Sequence, residues 1–178
     1  GVPVVKDTLA DVRRSVGMVF QDADDQLFMP TVEDDVAFGP VNLGLPPDTV
    51  EARVVEALTR VGALALRDRP PHRLSGGEKR VVSIATVLAM CPNVLVMDEP
   101  SSNLDPRARR RLIELLAGFE HTRIIATHDL DMALELCERT IVMREGAVHA
   151  DGPTGELFSD AAMLEECGLE QPAAMRPC

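Results

Sequence analysis

Apolar residues along this chain fall in short blocks separated by longer stretches of helical periodicity. Residues 15–20 (Ser-Val-Gly-Met-Val-Phe) form one such block, and residues 21–26 (Gln-Asp-Ala-Asp-Asp-Gln) after it are polar. That change predicts a strand and then a loop. Pro46-Pro47 interrupts the chain, and Asp48 stands three residues before Glu51, the spacing of a capping box. Val50, Val54, Leu58 and Val61 then share one helical face. Residues 67–73, with Pro70-Pro71, read as a linker. Residues 78–90 leave little polar surface and predict a largely buried helix, stopped by Cys91-Pro92. Residues 93–98 are apolar on both faces, as a central strand of a parallel sheet requires.

The second half repeats the pattern. Asp105-Pro106 predicts an N-cap followed by proline at the first helical position. That helix should run to Gly118, a natural C-terminal glycine. Residues 123–127 predict another buried strand, and Asp129 caps a helix ending near Cys137. Two short strands, 140–143 and 147–150, flank Glu145-Gly146, and Asp151-Gly152 should turn into a helical tail. Strands alternating with helices predict an α/β domain with a mostly parallel sheet.

Composition narrows the function classes. The 178 residues suffice for one domain with a real core, at 46% hydrophobic and 26% charged. A net charge of −11 argues against nucleic acid as a main partner, because a phosphate backbone calls for a basic face. The four cysteines form no C-x-x-C pair, which disfavours a disulfide framework or a zinc site. No apolar run approaches the ~20 residues that span a bilayer.

Four sets of residues could carry chemistry. Asp98 and Glu99 close the central strand, where α/β folds place ligands. Asp98 suits a magnesium ion, since hard cations take carboxylate oxygen. Glu99 could act as general base on a water. Taken alone, Asp-Glu-Pro reads equally as a strand exit into a turn. Ser75-Gly76-Gly77 at a helix start brings backbone N–H groups close to an anion, although taken alone an ordinary N-cap with flexible glycines is the favoured reading. His128 ends another strand and could donate to a terminal phosphate. Gln21 could hold a metal or water at the end of the first strand. Histidines 72, 121 and 149 have no such setting. No phosphate loop of the form G-x-x-x-x-G-K-[ST] occurs in these residues.

Together, in this order and spacing, these motifs resemble the ATP-binding-cassette ATPases. In that family's terms Gln21 resembles the Q-loop, residues 74–78 the signature motif, and 94–99 the Walker B strand with its catalytic glutamate. Residues 102–105, ending in Asp105, resemble the D-loop, and His128 the switch histidine. Residues 16–28 (Val-Gly-Met-Val-Phe-Gln-Asp-Ala-Asp-Asp-Gln-Leu-Phe), 31–40, 101–106 and 168–172 are similar to the ATPases of energy-coupling-factor and cobalt/nickel importers. Glu78 stands where the wider family usually has glutamine.

The resemblance implies a P-loop NTPase-like, mostly parallel sheet with a helical signature subdomain at about 33–90. The ATPase domain would span 1–152, and 153–178 a helical tail. The fold is expected to be incomplete at the N-terminus. The adenine-stacking aromatic and the phosphate loop belong before residue 1, and residues 1–4 resemble the short strand that follows the phosphate-loop helix. The implied cofactors are ATP and Mg²⁺, with Glu99 and His128 catalytic. Gln21 and Asp98 would hold the metal. Gln21, Ser75, Gly76, Gly77, Glu78 and Asp105 would meet nucleotide, the signature residues reaching the ATP of a second ATPase subunit. Residues 22–38 would meet an integral membrane transport subunit. The implied role is therefore the peripheral ATPase of an importer at the cytoplasmic face of the membrane, acting in a homo- or heterodimer, with cobalt or nickel ahead of vitamins as cargo. These residues alone, without a phosphate loop, are expected to be inactive.

Other classes remain open. Chromosome-maintenance and DNA-repair ATPases share the motifs, but they insert a long coiled coil between Gln21 and Ser75, and this interval has no extended heptads. Translation-linked proteins carry two cassettes with a charged linker. A pseudo-ATPase that serves only as a signature-bearing partner is the third alternative.

Overall fold

The computed structural model describes residues 2–119 and 122–176. They form two compact units that divide between Ala126 and Thr127. His121 lies outside the described residues.

In the first unit, α1 (Leu9–Ser15) leads directly into β1 (Val16–Val19). Three helices follow: α2 (Val32–Asn42), α3 (Pro47–Arg60) and α4 (Gly76–Leu88). Then come β2 (Val94–Asp98), α5 (Pro106–Ala117) and β3 (Thr122–Ala126). The three strands make one parallel sheet in the order β1-β2-β3, so β2 is central, as its apolar sequence predicts. Leu95 and Met97 on β2 and Val19 on β1 are wholly buried. Each such side chain contributes roughly 1.5–3 kcal/mol of burial. The outer strands keep Met18 and Ile124 largely in solvent.

Helix α4 lies close on β1. A Cβ at Gly17 would fall 2.2 Å from Val87 Cγ1, so only glycine permits this approach. Val82, Ile84, Ala85, Val87 and Leu88 bury the inner face of α4. Helices α2, α3 and α4 pack on one another.

The second unit holds α6 (Leu130–Leu136), β4 (Arg139–Arg144), β5 (Ala147–Pro153), α7 (Thr154–Ser159) and α8 (Ala161–Glu166). Strands β4 and β5 form an antiparallel hairpin turning at Glu145-Gly146, both at positive φ (50° and 79°). That backbone matches the strand twist and suits glycine. Leu130, Ala133, Phe158 and Leu164 form the small core of this unit.

Five local expectations differ from the structure. The strand expected to be buried at 123–127 is an edge strand with no buried residue, because β3 has a neighbour on one side only among the described residues. Asp48 does not cap α3. Pro47 with its fixed φ takes the first helical position, so the cap falls on Pro46 and Asp48 lies within the first turn. Glu51 is thereby left to accept from Arg67. Asp151-Gly152 is no turn but lies within β5, where Asp151 accepts two hydrogen bonds from Arg139. Residues 2–4 carry no strand; a 3₁₀ turn, Lys6–Thr8, precedes α1. The expected linker at 67–73 is ordered by Arg67, which bridges Glu33 and Glu51, and by a 3₁₀ turn at Pro71–Arg73.

Candidate functional site

The first unit gathers its candidate residues at one end of the sheet. Because β1 and β2 run parallel with Val19 opposite Met97, the loop carrying Gln21 and the exit carrying Asp98 leave from the same end. This is the end where open α/β sheets place ligands. Asp98 is half-buried as the last residue of β2, opposite Ala126. Asp98 and Gln21 offer hard oxygen atoms there. That donor set fits a cation which keeps water and phosphate ligands better than one needing a full protein cage. Among the described residues, no cluster of three or more His, Cys, Asp or Glu side chains could form such a cage.

Glu99 occupies a strained position. Its φ is +42°, in the left-handed region that costs a non-glycine residue roughly 1–2 kcal/mol. Its N–H donates to Ala126 O at 2.8 Å, which carries the β2–β3 pairing one residue past the strand. Its carbonyl accepts from Ser102 N at 3.1 Å, which turns the chain sharply after Pro100. Asn103, in the same turn, also has positive φ (60°). Non-glycine strain of this kind concentrates at functional sites.

Ser75 is the N-cap of α4, with a capping box closed in both directions. Glu78 N donates to Ser75 Oγ at 3.3 Å, while Ser75 N and Oγ both donate to Glu78 Oε2 at 2.8 Å. These bonds from Ser75, backbone first, hold the Glu78 carboxyl below the usual glutamate range. Arg69 lies 3.6 Å from the same carboxylate. A side chain at Gly76 would meet nothing, so its backbone stays open to approach, whereas a Cβ at Gly77 would sit 3.3 Å from Ala108 Cβ. Asp105 serves as N-cap of α5, accepting from Ala108 N and Arg107 N, which lower its carboxyl pKa in that order.

A cleft of about 660 Å³ brings Gln21, Asp22, Gly76, Lys79, Ser102 and Asn103 together. Ser75, Asp98, Glu99 and Asp105 do not line it. His128 belongs to the second unit, two residues after β3 in the chain, and is exposed. Next to it, Asp129 caps α6 by accepting from Met132 N at 3.0 Å, as its sequence position predicts.

Sequence reasoning missed Arg80 and Asp35. Both have ionisable side chains yet are only 4% and 3% exposed. The available signal was that Arg80 falls within a helix expected to be largely buried; its partners could not be read.

Residues 1–102 match the ABC transporter family. An ABC transporter ATP-binding protein of Geobacter sulfurreducens is 64% identical over 99% of this chain and 71% of its own length. The chain belongs to the ABC transporter family. The chain is also 47% identical to the energy-coupling factor transporter ATP-binding protein EcfA1 of Methanospirillum hungatei, over 97% of this chain and 64% of that one. Among solved structures, cbiO1 from Clostridium perfringens, part of the ABC transporter complex cbiONQ, superposes with a TM-score of 0.81. It is 41% identical and covers 93% of this chain and 67% of its own. As a member of the ABC family the chain has the α/β ATPase fold, with its parallel sheet and packed helices. ATP binding and hydrolysis are the family's general activity.

Proposed function

We propose that this chain is the ATP-hydrolysing subunit of an ABC importer of the energy-coupling-factor or cobalt/nickel type. The observation that carries the proposal is the convergence at one sheet end of Gln21, the Asp98-Glu99 exit and the 102–104 turn, with the α4 head sharing a cleft with Gln21. Likeness to EcfA1 and to cbiO1 supports the importer type.

In this role Asp98 and Gln21 hold Mg²⁺ on the subunit's own ATP. The ion supplies charge neutralisation at the phosphates. Glu99 takes the proton of the attacking water, and His128 donates a hydrogen bond to the γ-phosphate. Ser75, Gly76 and Gly77 present N–H groups to the ATP of a second ATPase subunit, helped by the α4 dipole. No G-x-x-x-x-G-K-[ST] segment occurs in these 178 residues.

Residues 22–38 form the face toward the membrane subunit. Phe28 and Phe38 are 63% and 45% exposed and stack edge to face at 5.0 Å. They line an apolar groove of about 530 Å³ with Met18 and Met90. Asp35 lies at its floor, accepting from Phe28 N and Met29 N at 3.0 Å. No described helix is long and apolar enough to cross a membrane. In this role the chain acts together with integral membrane transport subunits.

The test is ATP hydrolysis by the assembled transporter, wild type against Glu99→Gln. The variant should bind ATP and turn it over at a small fraction of the wild-type rate. Wild-type turnover by Glu99→Gln would sink the assignment. Uptake of radiolabelled cobalt or nickel against a labelled vitamin then distinguishes the cargo.

A further inference from the structure

Arg80 is a buried cation with no carboxylate within ion-pair distance among the described residues. Its Nη1 donates to Phe20 O at 2.7 Å and its Nη2 to Gln21 O. Burial pulls its pKa down and the nearby Asp22 opposes this; a guanidinium keeps its proton in proteins. Burying a charge is unfavourable unless hydrogen bonds replace its water. Here the replacement comes from two backbone carbonyls of a loop about 60 residues earlier in the chain. If the loop moves away, the guanidinium loses the groups that make its burial tolerable.

Two further ties join the same loop to the same helix. Gln26 donates from Nε2 to Ser83 O and Thr86 Oγ1, both at 2.8 Å, while its Oε1 accepts from Phe20 N at 3.1 Å. Lys79 pairs with Asp24 at 2.5 Å. The loop is therefore held along successive turns of α4, at positions 79–80, 83 and 86. The guanidinium fork suits two adjacent carbonyls, and a lysine ammonium would not reproduce that geometry.

We propose that Arg80 is a positioning residue, fastening the main chain of Gln21 to the helix headed by Ser75-Gly76-Gly77. The metal-side loop and the partner-facing turn then move as one body. Any displacement of the α4 head by a partner's nucleotide carries Gln21 with it. The fastening stands on geometry alone; its consequence for hydrolysis rests on the roles given above to Gln21 and Ser75.

Hydrogen exchange of the chain tests the fastening, with thermal melting followed in parallel. Arg80→Met should speed exchange at residues 20–27 roughly tenfold or more, leaving β2 and the C-terminal half of α4 near wild type. Gln26→Ala should give a smaller rise in the same segment. Arg80→Lys should fall between wild type and Arg80→Met, and it carries the test if the methionine variant does not fold. Unchanged exchange at 20–27 in a folded variant, or a uniform rise across the first unit, would overturn the proposal. The second readout is the Mg²⁺ dependence of ATP hydrolysis by the assembled transporter. Arg80→Met should raise the half-saturating Mg²⁺ concentration severalfold, with partial rescue by lysine. Faster loop exchange with an unaltered Mg²⁺ requirement would uphold the fastening and remove Gln21 from the metal site.

Discussion

The turn at Ser75 and the turn at Glu99 both deliver polar groups to the proposed nucleotide, yet their local energetics are opposite. At Ser75 the backbone is relaxed and its helix is closed by a reciprocal capping box. At Glu99 the chain takes a left-handed conformation that its side chain disfavours, and the β2–β3 ladder and the following turn hold it there. The first site is held by its own capping box and, in the proposed role, reaches outward to a second molecule. The second is stable only because the sheet over-determines it, as expected where a carboxylate must point in one direction for chemistry. The difference predicts which variants will separate stability from activity.

Glu99→Gln should produce the largest effect. It keeps the shape and the strained backbone but removes the base, so hydrolysis by the assembled transporter should fall about 10²–10⁴-fold, the usual contribution of a general base. Thermal stability should scarcely change. A variant that loses stability in step with activity would mean that Glu99 serves structure rather than chemistry.

Comparison of Glu99→Gly with Glu99→Ala isolates the strain. Both remove the side chain and its contacts, so they differ only in backbone freedom. Glycine usually destabilises relative to alanine. At +42° the order should reverse, with glycine more stable by about 1–2 kcal/mol in chemical denaturation. Alanine equal to or above glycine would show that the left-handed conformation is not strained here.

Legibility in the sequence divides along the same line. Features set by neighbours in the chain could be read directly. They include the doubly apolar β2, the proline-led α5 with Asp105 as cap, and Asp129 at the head of α6. Where two local signals compete, the reading fails. At residues 46–51 the acidic spacing suggested a cap, but the proline geometry decided the helix start. At Asp151-Gly152 a turn-prone pair was held extended by cross-strand pairing with β4 and by the Arg139 fork. Interactions spanning the chain left no local signature at all. Nothing near Arg80 announces that its acceptors are the carbonyls of Phe20 and Gln21. The left-handed φ of Glu99 is likewise set by Ala126 on another strand.

The relaxed turn should respond in the conventional way. Ser75→Ala removes the acceptor for Glu78 N and the donor to its carboxylate, and should cost about 1 kcal/mol of stability. Ser75→Asp should restore most of that by capping the helix, while placing a negative charge where an anion would approach. If hydrolysis survives Ser75→Asp undiminished, the α4 head does not meet nucleotide.

The smallest effect is the most specific to this chain, because it concerns glutamate rather than glutamine at position 78. Ser75's backbone N–H, and then its hydroxyl, hold the Glu78 carboxyl below the usual glutamate range. Its folded-state pKa is therefore lower than its unfolded one, and the folded state binds fewer protons in the interval between them. The resulting stabilisation is complete above the ordinary glutamate range and is lost as the pH falls through the lowered folded value. The carboxylate is partly exposed, so solvent screens the contribution to a few tenths of a kcal/mol. Glu78→Gln keeps an acceptor for Ser75 but cannot titrate. Near neutral pH the two proteins should melt within a degree or two of each other. On acidification the wild type should lose ground relative to the variant, over that interval and no other. A stability difference that stays constant with pH would mean that the carboxylate charge adds nothing to the box. The turn at Ser75 would then rest on hydrogen-bond geometry alone.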